Sequence, residues 1–206
     1  MRYLRNQAAE ILECAERCET YWQKAGSGTS EKAFPSMLRG HGHLRKQDYP
    51  AAIAAYQNSL ALARTLAPEG AEVATFLNWL ANAEKASGDD AAAERDYREA
   101  LRIAKQTGNR EAIAAYTGNL AGLALDRRDW PAAEALAREA LRLSEQIGRR
   151  ELIGAHCARL AKALARQGRQ KDALPHAQRA ADIFTKLRSP SRLEEVQDVL
   201  KECEEA

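Results

Sequence analysis

The chain has 206 residues and a formal charge of +2, enough for one ordinary domain or a short array of small units. Alanine supplies 42 positions and leucine 23, against 10 for valine and isoleucine together, which favours helix and starves any sheet of β-branched residues. Charged residues make up 29% of the chain and interrupt every apolar run, so no stretch reaches the roughly 18 apolar residues of a membrane span. The charged first twenty residues lack the apolar core of a secretory signal. Four scattered cysteines (Cys14, Cys18, Cys157, Cys203) fit a reducing compartment rather than a disulfide framework. A cytoplasmic location is the expectation.

Residues 1–25 read as one amphipathic helix, with Leu4, Ala8, Ile11, Leu12, Ala15 and Trp22 on one face, followed by a Gly26-Ser27-Gly28 joint. From residue 31 the chain repeats itself. Shifted by 40 residues, Ala132-Ala133-Glu134 falls on Ala92-Ala93-Glu94, Glu139-Ala140-Leu141 on Glu99-Ala100-Leu101, and Gly148 on Gly108. A further step sets Ala173, Ala177 and Ala180 on Ala133, Ala137 and Ala140; backwards, at an offset of 41, Ala52, Tyr56 and Leu60 land on Ala93, Tyr97 and Leu101. Four units follow, at 31–68, 69–108, 109–148 and 149–190.

Each unit opens with an apolar-periodic run, then a polar break: Lys46-Gln47-Asp48, Ser87-Gly88-Asp89, Arg127-Arg128-Asp129 and Gln167-Gly168-Arg169. A second run starts directly after it, with Pro50 and Pro131 where a missing N–H costs nothing. That run ends at Pro68, Gly108, Gly148 or Pro190. Breaks this short force an antiparallel helix pair. Alanines at the stripe positions of the second helix let neighbouring backbones approach, and no pair buries its stripe alone, so the pairs must stack. Residues 191–206 form a last helix with Leu193, Val196, Val199 and Leu200 apolar and a net charge of −4 over 192–206, a cap with a polar outer side. The expected fold is all-α: a right-handed α-solenoid, or alpha-alpha superhelix, of antiparallel helix pairs with about ten helices in one domain.

Leu80-Ala81, Leu120-Ala121 and Leu160-Ala161 in the first helices, Gly88 and Gly168 with Tyr49 and Trp130 at the turns, and the alanines of the second helices resemble the tetratricopeptide repeat (TPR). The 40-residue period and phrases such as Gly118-Asn119-Leu120-Ala121 are most similar to the arrays of kinesin light chains and bacterial regulators. The first unit departs from the pattern at Arg39, where leucine is expected, and at Ser59, where alanine is expected.

No active site is legible. Cys14 and Cys18 lack the further ligands a metal needs. His41 and His43 point to different faces of a helix, as do the neighbours His156 and Cys157, and Cys157 fills a core position of the repeat. Gly26-Ser27-Gly28-Thr29 lacks the spacing and lysine of a phosphate loop. No enzyme activity, metal or cofactor is expected.

In stacked helix pairs the first helices line a concave groove. Its candidate residues are Asn78, Asn82 and Lys85 in the second unit, Asn119 in the third, and Arg159, Lys162 and Arg166 in the fourth. The last three fall at i, i+3 and i+7 as one cationic stripe, and residues 149–188 carry ten Lys/Arg against three Asp/Glu. Asparagine amides suit an extended peptide backbone, and the cations suit an acidic segment or a free carboxylate. The resemblance implies a five-residue carboxylate clamp; Asn82, Asn119 and Arg159 occupy three of its positions, while Asn78 and Ala155 stand where lysine is usual. The expected function is a non-enzymatic protein–protein interaction module holding an acidic or C-terminal peptide segment. Three alternatives stand beside it. One is a sensor or scaffold piece of a larger bacterial signal-transduction NTPase or regulator. Another is nucleic-acid binding through the basic fourth unit, disfavoured because no aromatic residues are interleaved. The third is a homo-oligomer joined through the acidic last helix.

Overall fold

The computed structural model describes residues 2–25 and 28–204, and among these it contains ten helices and no strand. Helix α1 (Arg2–Lys24) is followed by the pairs α2 (Thr29–Arg45) and α3 (Tyr49–Leu66), α4 (Ala71–Ser87) and α5 (Asp90–Gln106), α6 (Arg110–Asp126) and α7 (Trp130–Ile147), and α8 (Arg150–Ala165) and α9 (Gln170–Lys186). Helix α10 (Pro190–Glu204) ends the chain's described part. The expected joint at Gly26 and Ser27, and the side chain of Leu4, lie outside the described residues. The four repeats group into two larger compact units, the first of these being Met1–Thr107 and the second Gly108–Ala206, divided at the boundary between the second and third repeats.

The four breaks share one backbone device. Their middle residues are left-handed: Gln47 (φ 61°), Gly88 (φ 90°), Arg128 (φ 60°) and Gly168 (φ 74°). That conformation ends the first helix and turns the chain back. The next residue caps the second helix. Asp48, Asp89 and Asp129 accept hydrogen bonds from the N–H groups of Ala51, Ala92 and Ala132 at 3.3, 2.9 and 3.2 Å. In the fourth break Arg169 supplies no such cap and pairs with Asp172 in the first turn instead, at 2.8 Å. The sequence places Pro190 at the end of the fourth pair; in the structure it opens α10, while α9 stops at Lys186 and Arg188 (φ 51°) makes the turn. Proline suits both places, as a stop after one helix and as a first residue of the next.

In the first unit α1 packs on α2, α2 on α3, α3 on α4 and α4 on α5. Its two departures from the repeat pattern have physical partners. The Arg39 guanidinium forms an ion pair with Glu19 of α1. Ser59 is fully buried and its one hydroxyl proton is shared between the carbonyls of Ala33 and Ala55, at 3.1 and 3.2 Å, so the substituted hydroxyl ties α3 to α2. Gly40 lies against the Tyr56 ring, in space that any Cβ would occupy.

In the second unit α6 packs on α7, α7 on α8, α8 on α9 and α9 on α10, and α8 also touches α6 and α10. Ala133, Ala137, Ala140, Ala173, Ala177 and Ala180 are all fully buried, as the stripe requires. Leu160, Leu164, Cys157, Phe184 and Val196 fill the space between them. Burial of each large side chain contributes roughly 1.5–3 kcal/mol, so these residues rather than the alanines carry most of the packing energy. The alanines set how closely the helices approach.

Candidate functional site

In the first unit the inner-helix asparagines are already engaged. Asn82 of α4 accepts a hydrogen bond from the Tyr97 hydroxyl of α5 at 2.7 Å and donates to the Asn78 carbonyl at 2.8 Å. The same device occurs one repeat earlier, where the Tyr56 hydroxyl of α3 meets His41 Nδ1 of α2 at 2.7 Å. Both tyrosines are buried, and a buried hydroxyl needs a partner. Asn82 thus satisfies Tyr97, a role the clamp resemblance does not reveal. Trp79 of α4 packs edge-on against His41 at 4.7 Å, an aromatic contact between α2 and α4. Lys85 is half-buried on α4.

The second unit brings two of the predicted residues together. The Arg159 guanidinium on α8 reaches the Asn119 carbonyl oxygen on α6 at 3.5 Å and His156 Nδ1 at 3.2 Å. A guanidinium only donates, so His156 Nδ1 is the acceptor and the ring proton sits on Nε2. Burial first, and the Arg159 charge second, hold this imidazole down to about 3, so it is neutral near pH 7. The ring fits because α6 carries Gly118 at the crossing, where a Cβ would overlap it. His156 Nε2 finds no hydrogen-bond partner among the described residues.

Arg159, Asn119 and His156 line a cavity of about 470 Å³ together with Glu151, Ser189 and Arg192. Its apolar wall includes Leu152 and Leu187. The other predicted cations of α8 lie elsewhere. Lys162 is exposed and outside the cavity lining. Arg166 is paired with Glu202 of α10 at 3.1 Å. The predicted stripe is therefore divided: Arg159 faces the cavity, and Arg166 helps seat the last helix. Glu151, His156, Ser189 and Arg192 are the polar lining residues that sequence spacing missed, with Leu152 and Leu187 the apolar ones. Cys157 is fully buried and its thiol is pushed up to about 11 by burial, which leaves little thiolate beside His156. Among the described residues no three His, Cys, Asp or Glu side chains gather as a metal site, and no helix is long and apolar enough to cross a membrane.

Two family models, each described as tetratricopeptide repeat, match residues 33–106 and 113–147. The chain belongs to the tetratricopeptide-repeat family. Solved structures share this fold. BtubC (BKLC) from P. vanneervenii matches with a TM-score of 0.70 and 18% identity, over 91% of this chain and 92% of its own. A putative kinesin light chain from Podosopora anserina with nearly identical TPR-like repeats matches at 0.69 and 20%, over 91% and 92%. Aspartyl phosphate phosphatase F from Bacillus subtilis matches at 0.71 and 17%, over 84% of this chain and 45% of its own. The TPR chain thus spans about half the length of that protein, and likewise of RapI, where it covers 53%. No curated protein sequence matches it. At these identities the likeness is one of fold, an all-α repeat of the TPR solenoid class.

Proposed function

We propose that this TPR chain is a non-enzymatic protein–protein interaction module that holds an acidic or C-terminal segment of a partner on the inner faces of its first helices. The observation that carries this reading is the Arg159–Asn119 pair, which joins α8 to α6 at a polar cavity with an apolar wall. Guanidinium and amide groups at the edge of such a cavity suit a carboxylate and the peptide groups beside it.

Ion pairing weakens the nucleic-acid alternative. In the basic fourth repeat Arg149 pairs with Glu111, Arg166 with Glu202, Arg169 with Glu134 and Asp172, and Arg179 with Glu145. Much of its local charge is therefore balanced within the unit, whereas nucleic-acid binding draws on cations that replace counterions on phosphates. The Arg166–Glu202 pair likewise turns part of the acidic last helix inward, away from a second copy. The reading as a scaffold piece of a larger regulator is supported by the fractional coverage of phosphatase F and RapI. It leaves the binding role of the inner faces unchanged.

Selection of a random displayed-peptide library on the full chain, with the Arg159→Glu variant as parallel target, tests the reading. Enriched sequences should be rich in Asp and Glu and should lose binding to the variant. Enrichment without acidic bias, or equal retention on the variant, would overturn it.

A further inference from the structure

The cavity of the second unit has a charge balance that specifies its occupant more narrowly than the spacing of cations does. Arg159 and Arg192 bring two positive charges and Glu151 one negative charge. His156 adds none near neutral pH, because burial and Arg159 keep it unprotonated. The lining therefore carries a net charge of one, which a single carboxylate neutralises and a phosphate dianion exceeds.

Both cations are held in place before any ligand arrives. His156 and Asn119 orient the Arg159 guanidinium. The Arg192 guanidinium lies over the Phe184 ring at 5.7 Å, a cation–π contact that fixes its direction without neutralising it. A binding group oriented in advance loses less freedom on association.

The remaining lining argues for a carboxylate on a side chain. A cavity of about 470 Å³ is far larger than one carboxylate group, so flanking chain must fill most of it. Leu152 and Leu187 offer apolar surface to side-chain methylenes. Glu151 stands two turns before Arg159 on α8, roughly 12 Å along the helix axis. A negative charge at that place disfavours an occupant with a second carboxylate, such as a terminal Asp or Glu, over an acidic side chain within a continuing segment.

We infer that this cavity takes one Asp or Glu side chain from within a partner segment, gripped between Arg159 and Arg192. This rests on the interaction-module reading and names the group that the second unit recognises. Arg192 is the residue that no repeat position suggests, since it comes from the capping helix.

The test is an NMR titration of the full chain, following the Nε–H signals of Arg159 and Arg192. The probes are N-acetylglutamate N-methylamide, its glutamine analogue, N-acetylalanine and inorganic phosphate. The glutamate derivative should shift both signals and bind about tenfold more tightly than the other three, as a charge-assisted contact made at two guanidinium groups would. Arg192→Gln, at an exposed position, should weaken it by a similar factor with the rest of the spectrum unchanged. Tighter binding of N-acetylalanine or phosphate would overturn the inference, as would equal binding of the glutamine analogue or indifference to Arg192→Gln. Displayed peptides that still depend on Arg159 in that event would leave the module reading standing. Peptides indifferent to Arg159 would remove that reading as well.

Discussion

Glu84 makes the stability of the first unit sensitive to pH near neutrality. It lies on α4 with only 7% of its surface exposed, and one carboxyl oxygen, Oε2, has no hydrogen-bond partner among the described residues. Burial first, then the negative charges of Asp96 and Asp89, raise its pKa from 4.5 to about 7, against a smaller opposing effect of Arg95. Asp96 on α5 is raised too, chiefly by burial. The folded state thus keeps a proton on Glu84 that the unfolded state gives up at lower pH. Below the unfolded pKa both states are protonated and nothing is lost. As pH rises through 4.5 to about 7, stability falls by about 1.4 kcal/mol per pH unit. The total is on the order of 3 kcal/mol by pH 8. Glu84→Gln keeps the shape, removes the ionisation and should flatten most of this slope, making the variant more stable than the parent at pH 8. Urea unfolding at pH 5, 6, 7 and 8, monitored by protection of α4 and α5 amides against hydrogen exchange, measures the difference. A flat parent profile, or the same slope in Glu84→Gln, would show that Glu84 does not set the pH dependence.

Three further substitutions test packing and turns. Gly118→Ala places a methyl in the space of the buried His156 ring and should cost about 1–3 kcal/mol of stability by chemical denaturation. Arg128→Gly relieves a side chain at φ 60° in the break between α6 and α7; a rise in stability of up to about 1 kcal/mol is expected, partly offset by the greater freedom of glycine in the unfolded chain. Asn82→Ala withdraws the acceptor of the buried Tyr97 hydroxyl and should cost about 1–3 kcal/mol. If Asn82 served the groove alone, thermal unfolding of that variant would match the parent.

The repeat frame is legible because its determinants are local and recur. A left-handed turn residue, an aspartate cap and an alanine stripe each depend on near neighbours, so comparing the chain with itself exposes them. The meeting of Arg159 and Asn119 is legible for the same reason, since they stand at equivalent positions of adjacent repeats. The engagement of Asn82 left a fainter signal. Where the second helix carries Tyr56 or Tyr97 the first helix carries His41 or Asn82, and where it carries Ala137 or Ala177 the first helix carries Gly122 or Lys162. Reading that pattern requires knowing that the tyrosine hydroxyl is buried. The Arg166–Glu202 pair and the place of Arg192 depend on how α10 packs against α8 and α9, a contact between repeats that no spacing within a helix encodes. Glu84 was hidden because a glutamate in a helix reads as solvated until its neighbours are known.

The proposed function requires a partner segment to lie along the first helices of the repeats. Titrating the isotope-labelled full chain with an acidic peptide obtained by selection, and mapping the amide and side-chain shifts, shows whether it does. Shifts centred on Asn119, Ala155 and Arg159 of α6 and α8, and lost in Arg159→Glu, are predicted. Shifts confined to the exposed faces of α7 and α9, with α6 and α8 unmoved, would contradict it.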